Sequence, residues 1–315
     1  MSSDQNRRRL DRNAIHHHYD LSNDFYRLFL DSNMVYTCAY FRSPDGDLET
    51  AQRDKLDLVC RKLRLKPGDR MLDIGCGWGS LSVWAAKHYG VEVLGVTLAA
   101  EQVKWAQEWI AREGLAGRCR VEHRDYRDVA GEGPFDKIAA IGIIEHVGIA
   151  NYPAYFRQVY DLLRPGGLFL NHGITHRRSW RRTPQWDFLI EHVFPNGELD
   201  YVSHICDVME ETDFELLDVE SLRQHYARTC RFWAARLKAN EQKAIALVGK
   251  RKYRTWLLYL TSSSVGFEER SIGLYQVLAE KVDPTAAVVP TTREEIYRPQ
   301  EPAVEPPLAR ASGMR

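Results

Sequence analysis

A chain of 315 residues can bury a sizeable core as one large domain with a substantial cap, since single cores stop growing at about 250 residues. Lys plus Arg and Asp plus Glu both number 43, which excludes a global field that would recruit nucleic acid or a membrane and leaves such attraction to a local patch. Six cysteines are scattered without CxxC spacing, the first residues carry no apolar signal stretch, and no run nears the roughly 18 apolar residues of a membrane span, so the expectation is a cytoplasmic protein with reduced thiols.

In chain order, residues 1–50 are expected to form an N-terminal helical cap, within which "MVYTCAYF" sets Cys38 among aromatic residues. Residues 51–66 place Leu56, Val59, Cys60 and Leu63 at the spacing of one buried helical face. "RMLDIGCGWGS" reads as a strand breaking into a glycine loop, and "LSVWAAKHY" as the helix that follows. Strands are expected at 92–98, 120–125, 135–144 and 167–175, with a helix around Phe156, Val159, Tyr160 and Leu163. This alternation predicts a Rossmann-like α/β fold, a doubly wound and mostly parallel sheet, over 51–283. An inserted lid is expected at about 176–213, where the pattern loosens. Strands resume at 214–222 and 271–282. The Pro-rich stretch 284–315 reads as a disordered tail.

In open sheets of this kind, ligands sit beyond the carboxyl ends of the strands, where glycines let a cofactor approach the backbone. "DIGCGWG", with Asp73, Gly75 and Gly77, occupies that position. A nicotinamide dinucleotide would want a carboxylate about 20 residues further on, at the end of the second strand. Thr97 stands there instead. S-adenosylmethionine, which has no pyrophosphate, fits better.

"HHHYDLSNDFYRLFLDSNMVYTCAYF", "LDIGCGWGSL", "GVTLAAEQ", "DYRD", "IEHVG" and "RQHYART", in this order over about 15–282, resemble the cyclopropane-fatty-acyl-phospholipid synthase and mycolic acid cyclopropane synthase family of S-adenosylmethionine-dependent methyltransferases. The resemblance implies methyl transfer to the cis double bond of an unsaturated acyl lipid, then proton loss that closes a cyclopropane. It implies bicarbonate as the base, held by Cys38, Glu145, His172 and Tyr226 with the backbone at Ile141. It also assigns Tyr36 and Thr37 to the methionine end of the cofactor, Gly75 and Gly77 to backbone approach, Thr97, Leu98 and Gln102 to the ribose, and Asp125 and Tyr126 to the adenine. Set against the longer bacterial phospholipid-modifying enzymes of the family, the expectation is a chain without their extra N-terminal domain. Methyl-branched or methylene products would follow from the same cation, and N-methylation of a small amine is the competing chemistry.

Structural readings stand beside these. Cys38 can be a small core hydrophobe, Tyr226 interfacial packing, His172 a partner for a buried carbonyl and Glu145 a helix cap. No metal is expected, because three adjacent residues at His16, His17 and His18 cannot all face one ion from a regular element. The lid carries Arg177, Arg178, Arg181 and Arg182 around Trp180, which points to peripheral membrane contact. Oligomeric state has no sequence signal here.

Overall fold

The computed structural model describes residues 21–194, 197–285 and 292–297. Its first element, α1 (Asn23–Arg27), is capped by Ser22, whose hydroxyl accepts the N–H of Phe25 at 3.3 Å. Irregular chain leads to Asp47, which accepts the N–H of Thr50 at 2.9 Å and starts α2 (Leu48–Lys62). The apolar stripe read from the sequence turns inward, with Leu56, Val59, Cys60 and Leu63 all buried. β1 (Arg70–Ile74) then breaks at Gly75, Gly77 and Gly79, all at positive φ, into α3 (Ser80–Tyr89). At Gly79 a Cβ would lie 2.9 Å from the Ala106 methyl, so only glycine allows this close helix approach.

Alternation continues through β2 (Glu92–Thr97), α4 (Ala100–Arg112), β3 (Cys119–His123), β4 (Phe135–Ile141), α5 (Ile144–Val147), α6 (Tyr152–Leu162) and β5 (Leu163–His176). These five strands pair in parallel, the four inner ones as apolar runs buried on both faces and the edge strand β3 with alternating buried and exposed residues. Then come α7 (Pro184–His192), α8 (Val202–Glu211), β6 (Phe214–Ser221), α9 (Arg223–Ala239), α10 (Glu241–Glu268), β7 (Ile272–Lys281) and α11 (Glu294–Tyr297). The sheet has the order β3-β2-β1-β4-β5-β7-β6, with β7 antiparallel to both neighbours. The expected doubly wound, mostly parallel sheet is therefore present.

The cap differs from its expectation. Residues 1–20, including the histidine run, lie outside the described residues, and the described stretch 21–47 holds only α1. Most of the helical mass over the site comes from α9 and α10, which pack on the N-terminal segment through large aromatic rings. Tyr26 meets Trp256 at 5.5 Å between ring centroids and Phe29 meets Trp233 at 6.4 Å. Rings of this size bury enough surface to hold two distant segments together. The lid is shorter than expected, since α8 buries Ile205, Val208 and Met209 in the core beside Phe214 of β6.

Part of the expected tail is ordered as well. Ile296 is buried, and Arg293 reaches the Asp218 carboxylate at 2.7 Å. Asp218 is itself buried beside Lys62, whose Nζ lies 3.1 Å from Asp218 and 2.5 Å from Glu220. A lone lysine between two carboxylates leaves negative charge that Arg293 offsets. Arg293→Ala is expected to cost about 1 kcal/mol, because its exposure tempers the pair. Urea denaturation checks this, and unchanged stability would show that Ile296 alone seats the segment.

Candidate active site

A cavity of ≈ 380 Å³ lies at the carboxyl ends of β1, β2 and β4, where Asp73, Thr97 and Ile141 meet the glycine loop. Its lining divides into a polar part around that loop and an apolar part under the lid and cap helices.

Two glycines of the loop act differently. At Gly75 an added Cβ would lie 2.0 Å from Cδ1 of Ile143, so the position is closed by packing. At Gly77 an added Cβ meets no atom within 4 Å, although the residue lines the cavity, so its bare backbone faces open space. That is the cradle a cofactor would fill. Beside it Asp73 accepts the Ser82 hydroxyl at 2.7 Å, and burial pushes its carboxyl up to about 6. Lys55 donates to the Thr37 hydroxyl at 3.0 Å, and burial lowers its ammonium to about 8 despite the opposing charges of Asp31 and Asp73. Tyr36 completes this wall, its hydroxyl 3.1 Å from that of Tyr259 in α10.

At the end of β2, where a dinucleotide site would carry its acid, the Thr97 hydroxyl donates to the Gln102 side-chain carbonyl at 2.8 Å. Leu98 lines the same wall. Asp125 is engaged by Arg127, with Nε and Nη2 at 2.9 and 2.7 Å from its two oxygens. Tyr126 adjoins it, its carbonyl accepting from Gln158 at 3.0 Å.

The apolar part is built around Glu145. It follows β4 on α5, one Oε accepts the N–H of Ile174 at 2.7 Å, and the other is buried without a hydrogen-bond partner. Burial pushes this carboxyl up to about 7. The lid hooks onto the same turn: Glu198 donates its N–H to the Glu145 carbonyl at 3.0 Å and accepts the Ile149 N–H at 2.8 Å. From above, α7 contributes Trp186, Leu189 and Ile190, and α10 contributes Ser263 and Phe267. Tyr226 stacks on Phe267 with centroids 4.6 Å apart. His146, also in the lining, is held neutral by burial, which lowers it to about 4.

Of the expected site residues, only Cys38 and His172 do not line the cavity. Cys38 is fully buried, its thiol facing the carbonyls of Ala39 at 3.2 Å and Leu222 at 3.8 Å, and burial raises it far above the thiolate range. His172 is buried on β5 with Nδ1 at 3.1 Å from the Gln276 amide nitrogen. With that nitrogen as donor, the ring's own proton sits on Nε2, which has no hydrogen-bond partner. Burial, reinforced by Lys55 and Lys62, keeps the ring neutral.

Several lining residues escaped the sequence reading. Lys55 is one, and its signal was a lysine four positions before Val59 on the buried stripe of α2. Tyr259, Ser263 and Phe267 are others, spaced with Trp256 and Leu260 as one inward helical face.

A seven-stranded sheet of this order, with a bare glycine cradle at its carboxyl edge and no dinucleotide acid, defines a class I S-adenosylmethionine-dependent methyltransferase. The mycolic acid cyclopropane synthetase family matches residues 6–277, and the chain belongs to that family. It is 45% identical over 297 residues to a probable fatty acid methyltransferase of Pseudomonas putida, covering 92% of this chain and 75% of the relative. It is 40% identical over 261 residues to the cyclopropane-fatty-acyl-phospholipid synthase of Escherichia coli, covering 83% of this chain and 66% of that enzyme. The mycolic acid cyclopropane synthase CmaA1, solved with S-adenosylhomocysteine and CTAB, superposes with a TM-score of 0.81 at 34% identity, covering 86% of this chain and 98% of that one.

Proposed function

We propose that this methyltransferase acts on the cis double bond of an unsaturated fatty acyl chain, in a phospholipid, and closes a cyclopropane ring. The observation that carries the reading is the buried, half-satisfied carboxyl of Glu145 in a cavity whose remaining roof is aromatic and aliphatic. An acyl chain suits that roof, and the lipid-modifying relatives support the same substrate class.

S-adenosylmethionine supplies an electrophilic methyl when bound. Tyr36 and Thr37 would hold its methionine end, Gly75 and Gly77 its approach to the backbone, Thr97, Leu98 and Gln102 its ribose, and Asp125 and Tyr126 its adenine. Lys55 orients the Thr37 hydroxyl. An alkene has no proton to surrender before methylation, so the residues around it must exclude water, tolerate a cation and serve proton removal late. The apolar side chains of α7, α9 and α10 exclude the water.

Hydrogencarbonate supplies a base when bound. An anion carrying one proton matches the chemistry of two orphaned groups, a neutral His172 Nε2–H that donates and an unpartnered Glu145 oxygen that accepts, with Glu145 in the cavity lining and His172 behind it. Tyr226 and the backbone at Ile141 are the other holders in this proposal, and Cys38 would have to turn its thiol from the Ala39 and Leu222 carbonyls to join them. The protein would meet its substrate peripherally at a membrane, and no helix among the described residues is long and apolar enough to cross one.

Mass spectrometry of the lipids of an expressing host tests the reading. A gain of one CH2 on unsaturated chains, co-migrating with cyclopropane standards, is the expected result. Methyl-branched or methylene products would keep the carbon methylation and overturn ring closure. Unchanged acyl chains beside a methylated amine would overturn the reading altogether.

A further inference from the structure

Helix α10 carries a surface that the catalytic reading leaves unused. From Lys243 to Phe267 the chain holds five basic residues and no acidic one, in a protein of zero net charge. Four of the five, Lys250, Arg251, Lys252 and Arg254, follow directly on Gly249, whose φ of 77° and ψ of 159° kink the helix. All four are exposed, and none has an ion pair among the described residues. Along this stretch of α10 the charges are of one sign, whereas α7 across the groove adds Asp187, paired with Arg182, and the exposed Glu191.

The same surface is apolar where it should be polar. Leu247 and Leu258 stand 46% and 51% exposed on α10. Leu258 shares a groove with Phe188 of α7, rimmed by Lys250, Arg251 and Arg254. The two helices that wall this groove also wall the cavity, α7 through Leu189 and Ile190 and α10 through Tyr259 and Phe267. The seam between them therefore borders both the outer groove and the apolar part of the active site. At the head of the lid, Arg177 and Arg181 add exposed charge, with Trp180 beside them.

We propose that the α7–α10 seam, with Lys250, Arg251 and Arg254 rimming Phe188 and Leu258 and Lys252 on the same exposed stretch, docks the protein on an anionic phospholipid bilayer and opens the cavity towards the acyl chains. The proposal rests on the acyl-lipid reading of the site. Basic residues suit phosphate at the headgroup level, whereas exposed Leu and a half-buried Phe suit the acyl boundary just beneath. An acidic protein partner would satisfy the charges but leave the two leucines and the apolar groove without a reason.

The test is sedimentation of the full chain with vesicles of phosphatidylcholine alone or mixed with phosphatidylglycerol, using wild type and the triple variant Lys250→Glu, Arg251→Glu, Arg254→Glu. Wild type should prefer the mixed vesicles, less so as salt rises, and the variant should lose on the order of a hundredfold in partition. S-adenosylmethionine affinity and thermal unfolding should match in the two proteins, since the changed residues are exposed and outside the cavity. Equal partition of both proteins would overturn the proposal. So would a wild type that ignores vesicles but binds an acidic acyl-carrier protein through the same three residues, which would assign the surface to a protein.

A separate arm presents the unsaturated lipid in neutral detergent. A variant that matches wild type there and fails on vesicles supports docking. If neither protein methylates the lipid in detergent while their vesicle binding differs, the reaction reading fails and the docking surface stands.

Discussion

Gly77→Val is expected to weaken S-adenosylmethionine binding by a hundredfold or more while the protein still folds. The residue sits at φ +56°, and forcing a side chain into that left-handed conformation costs about 1–2 kcal/mol. Its Cβ meets no protein atom within 4 Å, so the strain stays local and the isopropyl group projects into the space a cofactor needs. The neighbouring glycines would be poor probes. At Gly75 the new Cβ falls 2.0 Å from Ile143, and at Gly79 it falls 2.9 Å from Ala106, so lost binding there would be confounded with lost packing. Calorimetric titration beside a thermal melt separates the two effects. Wild-type affinity in Gly77→Val would remove the cofactor from this loop.

Glu145→Gln is expected to lower turnover by on the order of a hundredfold or more while cofactor affinity is unchanged. The glutamine keeps the acceptor for the Ile174 N–H and removes the ionisable oxygen. Depleting hydrogencarbonate should slow the wild type if this carboxyl holds the base. Normal turnover of the variant together with indifference to depletion would show that the base lies elsewhere.

The same substitution has a signature in stability. In the folded protein burial raises this carboxyl from 4.5 to about 7. Between those values the folded state keeps a proton that the unfolded chain has released. Stability therefore falls as pH rises through the window and levels off above the folded value. The glutamine variant lacks this loss and should gain on wild type between pH 5 and 8, by at most about 3 kcal/mol. Urea denaturation at the two pH values measures it, and a constant difference between the proteins would contradict a buried, proton-holding Glu145.

Legibility in the sequence followed the range of the forces involved. Strands β1, β2, β4 and β5 were readable because a parallel sheet buried on both faces needs apolar runs, the edge strand β3 from its place in the strand–helix alternation, and the cofactor loop because only glycine takes positive φ at little cost. Glu145 was readable as a carboxylate a few residues beyond such a strand, on the short helix that follows it. The cap was harder. In α9, residues such as Arg223, Arg228 and Arg231 interrupt the aromatic spacing, yet Trp233 is fully buried because Phe29 and Tyr36 come from the other end of the chain to cover it.

The sequence by itself determined the strand alternation, the glycine cradle, the missing dinucleotide acid and the family, all of which depend on neighbours within a few residues or on an ordered set of motifs. Only the tertiary structure decided which polar groups would be buried and beside what. Lys55 became a wall of the site because Thr37, Asp31 and Asp73 converge on its ammonium. Cys38 and His172 withdrew from the cavity lining because Leu222 and Gln276, from β6's end and β7, pack against them. Arg293 was drawn from an apparent tail onto Asp218 by a charge that Lys62 alone does not balance. Each of these outcomes is a desolvation cost met by a partner remote in sequence, and no local pattern encodes where such a partner will lie.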